Sequence, residues 1–213
     1  MRTAKLVLAA SVLAALAASA NGQIALSDHN FSGYGWSDNQ ICKPCHTPHG
    51  SNETVGRLWN HALTTATYQM HRGTGTATVN IDSSSRLCLS CHDGTVALDN
   101  FGGRTTGTNF VAGEKNIGTN LNNDHPIGSD AIYTTSTTST SYNPMTVSST
   151  GTSASVVFAG NTVRLRPWVN STGATQFVVG CSSCHTVHNT GNFDHMLRFS
   201  NSGSALCLTC HIK

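Results

Sequence analysis

Eight cysteines and eleven histidines stand among 213 residues. Every cysteine falls in one of four five-residue frames: Cys42-Lys-Pro-Cys45-His46, Cys88-Leu-Ser-Cys91-His92, Cys181-Ser-Ser-Cys184-His185 and Cys207-Leu-Thr-Cys210-His211. Two thiols at this spacing can add to the two vinyl groups of one porphyrin, and the histidine that follows is then aimed at the iron. The frames therefore predict four covalently held c-type haems on Cys42, Cys45, Cys88, Cys91, Cys181, Cys184, Cys207 and Cys210. His46, His92, His185 and His211 are the predicted proximal iron ligands. Four disulfides would also use every cysteine, but they do not require a histidine after each pair. Zinc would crowd three ligands into five residues and leave the rest of its sphere undefined.

The sixth position on each iron decides between electron transfer and small-molecule chemistry. Seven histidines remain for it. His49 and His188 lie three residues after His46 and His185, so on a helical turn they emerge on nearly the same side as those ligands. They cannot close over their own haem, and each is expected to ligate a neighbour, pairing haems within a module. His29 precedes the first frame, and His125, in Asn123-Asp124-His125-Pro126, precedes the third. The predicted distal set is thus His29, His49, His125 and His188, with His61, His71 and His195 as spares. Met70, Met145 and Met196 are the methionines that could raise a potential by ligation, but histidines are in surplus. Bis-histidine ligation implies low potentials, no vacant iron and no catalytic residue. Arg57, Arg86 and Arg198 are candidate donors to haem propionates.

The elements that must position these groups are sparse. The first and third frames extend to C-x-x-C-H-T-x-H, Cys42 to His49 and Cys181 to His188, whereas the second and fourth share S-x-S-x-L-C-L-[ST]-C-H, Ser83 to His92 and Ser202 to His211. The order A, B, A, B reads as a duplication. It predicts two dihaem modules, 21–118 and 119–213, forming one compact tetrahaem unit. The B frames read as short helices, capped by Ser83 to Ser85 or by Ser202 or Ser204, the first stopping at Gly94. Ser155 to Arg166 alternates around Gly160-Asn161 as a hairpin. Tyr133 to Thr152, Ser/Thr-rich and without charge, reads as an exposed loop, a place for glycosylation if the host does that. The expected fold is therefore mostly irregular coil with short α-helices at the C-x-x-C-H motifs and a minor β-hairpin, organised around a stacked haem core. Four haems on 193 residues (213 minus 20) leave one macrocycle for about 48 residues, so porphyrin faces must supply much of the apolar burial.

Arg2 and Lys5, the apolar stretch Leu6 to Ala17 and the tripeptide Ala18-Ser19-Ala20 form a cleavable signal peptide over 1–20. Its removal deletes two of twelve basic residues and none of ten acidic ones, leaving a formal charge of zero. No basic stripe with interleaved aromatics supports nucleic-acid binding. No later apolar run approaches the roughly 20 residues of a membrane span.

Taken together, Asp28-His29-Asn30, Cys42 to His49, Leu58-Trp59-Asn60, Leu87 to Thr95, Asp124-His125-Pro126, Cys181 to His188 and Leu206 to Lys213 resemble multihaem c-type cytochromes with doubled C-x-x-C-H motifs. Within these the chain is most similar to OmcE-type tetrahaem cytochromes of metal-reducing bacteria, whose subunits assemble into extracellular conducting filaments. The resemblance implies bis-histidine ligation throughout, a continuous haem stack and, in polymers, an axial histidine donated by the adjacent subunit, for which His29 is the candidate. One departure is His185-Thr-Val-His188, where proline commonly precedes the second histidine. The expectation is a secreted electron-transfer protein and not an enzyme. It is a homopolymeric nanowire subunit at the cell surface, passing electrons to other cytochromes or to external metal-oxide acceptors. The alternatives are a monomeric periplasmic carrier and, further off, a multihaem reductase with one open iron.

Overall fold

A computed structural model describes residues 23–71 and 80–213. The signal peptide read from residues 1–20 lies outside the described residues. Secondary structure concentrates in the C-terminal half, where five antiparallel strands form one curled sheet: β1 (Ile132–Tyr133), β2 (Met145–Val147), β3 (Ala154–Phe158), β4 (Asn161–Val169) and β5 (Thr175–Val178), in the order β1-β5-β4-β3-β2. Three α-helices, α1 (Ser83–His92), α2 (Cys181–Cys184) and α3 (Ala205–Cys210), carry the second, third and fourth frames. The first frame is a single turn closed by His46 N–H donating to the Cys42 carbonyl at 2.8 Å.

This corrects the expectation of coil with helices at every motif and a minor hairpin. The predicted hairpin is present as β3–β4, but its turn is Ala159-Gly160, with φ of 49° and 81°, the left-handed pair that a two-residue hairpin loop requires. It is the middle of a larger sheet. The first half of β4 pairs with β3 through Leu165, and its second half pairs with β5 from Arg166 onward. That handover curls the sheet and places Pro167 where β4 has parted from β3, a position at which a missing N–H is tolerated. The stretch expected to be an open loop supplies β2 and part of β1, because threonine and valine suit a half-buried pleat as well as an exposed loop.

Two apolar clusters hold the frames. Ala154, Val156, Leu165, Phe177 and Val179 line the inner face of the sheet, and Tyr133, Met145, Val147 and Cys210 of α3 pack against it. The period-2 burial of β3 and β4 puts one face of each strand on this core. The other cluster, Tyr68, Met70, Ile81, Leu89 and Leu121, grips the apolar side of α1. Met70 is thus core, 1% exposed.

The helix ends differ from their sequence reading. Asp82, not a serine, caps α1, its side chain accepting from Ser84 N–H and Ser85 N–H. The helix does end before Gly94, whose φ of 73° suits the exit turn. At α3 neither Ser202 nor Ser204 caps by its side chain, and Asn201 Oδ1 accepts from Leu206 N–H at 3.1 Å instead. No helix among the described residues is long and apolar enough to cross a membrane.

Candidate functional site

The two A frames share one bracket around the proximal histidine. His46 Nδ1 meets the Arg57 carbonyl at 2.8 Å, and His185 Nδ1 meets the His195 carbonyl at 2.8 Å. Thr47 N–H donates to Leu58, and Thr186 N–H to Met196. Asn60 N–H donates back to Cys45, and Arg198 N–H to Cys184. In each, two consecutive residues sit in the left-handed region to present those carbonyls: Arg57 and Leu58 (57° and 54°), and His195 and Met196 (56° and 54°). A carbonyl on Nδ1 fixes the tautomer, leaves Nε2 with its lone pair free for metal, and makes the imidazole a stronger donor.

The B frames are built differently. His92 Nδ1 meets the Lys115 carbonyl at 2.7 Å, and Ile117 N–H closes onto the His92 carbonyl. His211 is flanked instead by the segment that joins β1 to β2. Asn143 N–H donates to Cys210, Ile212 N–H donates to Ser141, and the Tyr142 ring centroid lies 5.0 Å from that of His211.

Three proximal imidazoles face a second imidazole. Ring centroids are 6.3 Å apart for His46 and His188, 6.0 Å for His92 and His29, and 6.2 Å for His211 and His125. Two imidazoles trans on one metal, at a metal–nitrogen bond of roughly 2 Å, put their centroids roughly 6 Å apart. His188, on the third frame, thus reaches the first frame in the other half of the chain rather than a partner within its own module. His29 and His125 each face a frame of their own module. Among the described residues no ring stands opposite His185, and His49 is exposed, lining an open cleft of about 780 Å³ with Cys42, Lys43 and His46. Of the spares, His61 is buried with a carbonyl oxygen beside each ring nitrogen, Ala62 at 2.8 Å and Ala97 at 3.0 Å, so neither nitrogen is open to a metal. His71 is exposed, and His195 serves through its carbonyl.

The electrostatics suit neutral ligands. Burial, with His92 nearby, pushes the His29 imidazole down to about 4, so it keeps a lone pair at neutral pH. Burial likewise pushes the Cys45 and Cys184 thiols up to about 11, the reverse of a thiolate metal site. Among the described residues no three His, Cys, Asp or Glu side chains converge as a small-ion site, and all eight cysteines are free of disulfides. Among the described residues two buried donors also lack a protein acceptor: Trp59 Nε1, in the residue whose ring packs edge-on to His46, and Arg166 Nε. A haem would fit these facts where a metal ion alone would not: the paired imidazoles would hold its iron, and donors such as these would serve its propionates. Of the predicted propionate donors, Arg86 and Arg198 give N–H bonds to the Thr64 and Ser182 carbonyls, while Arg57 contributes its own carbonyl.

The backbone acceptors at Arg57, Lys115 and His195 escape sequence reasoning, since any residue supplies a carbonyl. The one available signal is repetition, a bracket 11 residues after His46 and 10 after His185.

Residues 175–213, holding the third and fourth frames, match the family described as the doubled CXXCH motif. Comparison with curated proteins and with solved structures finds no match. The chain carries the c-type haem attachment motif of multihaem cytochromes, a class that points to electron transfer.

Proposed function

We propose that this chain is a secreted tetrahaem cytochrome that passes electrons one at a time along closely spaced haems, each iron cycling between ferric and ferrous. The observation that supports it most is the set of three imidazole pairs at 6.0–6.3 Å, each joining one frame histidine to one histidine outside its frame. Bis-histidine ligation closes an iron to substrates, which favours a carrier over a reductase.

His185 gives the reading its finer form. His188 of the third frame faces a first frame, so by the equivalence of the A frames His49 of the first should face a third. Within one chain it does not, and both His49 and His185 are exposed. In this reading His49 of one copy completes the third haem of the next, and repetition of the contact builds an extracellular filament of the OmcE-type kind. His29, the donor that resemblance points to, faces His92 of its own chain.

The test is electron microscopy of material sheared from producing cells, with the pyridine haemochrome spectrum of the same material. Thin filaments containing four haems per chain, lost in His49→Ala and kept in His29→Ala, are the expected result. Dispersed monomers would leave a periplasmic carrier. Carbon monoxide binding to one reduced haem in four of a monomer would favour the open-iron reading instead.

A further inference from the structure

Frames two and three meet at a buried carboxylate. Cys88 of α1 and Cys181 of α2 are 93 positions apart (181 minus 88), yet the two helices that carry them pack against one another. The second and third frames are therefore neighbours. Around them Ser84 Oγ lies 3.0 Å from Ser182 Oγ, and Cys181 N–H donates to Ser85 Oγ at 2.9 Å. Ser85 Oγ in turn donates to Oδ2 of Asp82, a residue 1% exposed. Arg166 and Arg198 both donate to the Ser182 carbonyl, at 3.0 and 2.8 Å.

The two oxygens of Asp82 do separate work. Oδ1 caps the helix, accepting from Ser84 N–H and Ser85 N–H at 3.0 Å each and from the Ser84 hydroxyl. A cap needs no more than that, and serine or asparagine would supply it. Oδ2 contributes nothing to the cap; through Ser85 it holds the first residue of the third frame. The fit is tight on the far side, where a Cβ on Gly180 would lie 2.4 Å from Oδ2 and 2.7 Å from Ser85 Oγ.

We propose that Asp82 is a positioning residue for electron transfer between the second and third haems. It locks the two anchor cysteines together and sets one negative charge beside both attachment points. This rests on the tetrahaem reading above. A charge at that place stabilises the ferric state of the two nearest haems and leaves the first and fourth less affected.

The experiment uses the holoprotein. Asp82→Asn keeps an oxygen for the cap and removes the charge. Redox titration followed by optical absorption and by haem-methyl NMR resolves the individual haems. The expected result is that the second and third shift positive, their reduced-to-oxidised ratio at a fixed ambient potential rising roughly tenfold, with the other two moving less. Ser85→Ala keeps the charge and cuts the link to Cys181 N–H. It should leave those potentials in place and weaken the magnetic coupling between the two ferric haems in the EPR spectrum. A merely structural cap would lower thermal stability in Asp82→Asn and move neither readout. Four unchanged potentials, or a shift confined to the first or fourth haem, overturns the proposal. If Asp82→Asn does not load four haems, Ser85→Ala decides, and unchanged coupling there is equally fatal. Fewer than four haems in the wild-type chain would instead refute the tetrahaem reading itself.

Discussion

The A frames and the B frames solve one problem in two ways. An A frame carries its own bracket: 10 or 11 residues after the proximal histidine the chain turns through two left-handed residues and returns a carbonyl to Nδ1. A B frame borrows its surroundings, from Lys115–Ile117 for His92 and from Ser141–Asn143 for His211, and its helix leans on a distant core. Short loops close at small entropic cost, and that cost rises slowly with length, so the A design is local and the B design depends on the tertiary fold. Haem loading should therefore be lost from B frames first when the fold is damaged.

The strongest way to break that comparison is to damage each B core separately. Leu89→Ala, on the wholly buried face of α1, should cost about 2–5 kcal/mol and lower the haem content by the second haem. Leu165→Ala under α3 should cost a similar amount and lose the fourth. Urea unfolding and haem-to-protein ratios of both variants measure this. Loss of an A-frame haem in either would remove the distinction.

Next in size are paired substitutions in the A brackets. Proline fixes φ near −65°, which neither Arg57 (57°) nor His195 (56°) can accept. Arg57→Pro and His195→Pro should each destabilise by about 1–3 kcal/mol and shift one haem positive as its imidazole loses the carbonyl. If the frames are equivalent, the two shifts are equal. A bracket that mattered in only one would show up in the same redox titration as unequal shifts.

The buried polar wiring behind the second frame gives a smaller and more local effect. Tyr68 Oη donates to Asp93 Oδ2 at 2.6 Å, Thr64 Oγ1 donates to the same oxygen at 2.6 Å, and Asp93 Oδ1 accepts from Thr95 N–H at 2.8 Å. Tyr68→Phe strands part of that buried acceptor and should cost about 1–3 kcal/mol in thermal unfolding without loss of haem.

Acid acts through Asp99. Burial alone would push its carboxyl up, but N–H donors from Asn109 and Thr108 outweigh it and hold the group below the usual carboxylate range. A depressed value means the unfolded chain takes up the proton first. The contribution is present above about pH 4, the unfolded value, and is lost as pH falls through the folded one. Asp99→Asn should flatten that part of the stability profile; an unchanged slope would mean that other carboxylates carry it.

What could be read from the sequence was what side chains alone encode. The four frames and the surplus of histidines are written in residue types, and the A, B alternation is visible by eye. The sheet was not, because β1, β2 and β5 are two to four residues long and pair across loops. Only the Ser155 to Arg166 alternation was long enough to register. Proximity along the chain suggested that His188 would serve its own half, whereas its ring lies 6.3 Å from that of His46, and contact between α1 and α2 brings the third frame alongside the second. Asp82 was within reach of sequence reasoning, since aspartate before three serines is a helix-start signal, but the serines behind it drew the assignment instead.

The smallest expected effect separates backbone from side chain. Lys115 holds His92 through its carbonyl, while its ammonium pairs with Asp28, next to His29, so one residue touches both sides of the second site. The ammonium also holds the Asp28 carboxyl below its ordinary range. Both partners of that pair are well exposed, which limits it to about 0–1 kcal/mol, screened further by salt. If the bracket is a property of backbone, Lys115→Ala should leave the second haem's potential and occupancy unchanged and lower stability slightly, a difference that vanishes at high salt. Arg57 and His195 already do the same work with other side chains in the A frames. A shift of the second haem that persists at high salt would mean that the B bracket, unlike the A bracket, depends on which residue supplies the carbonyl.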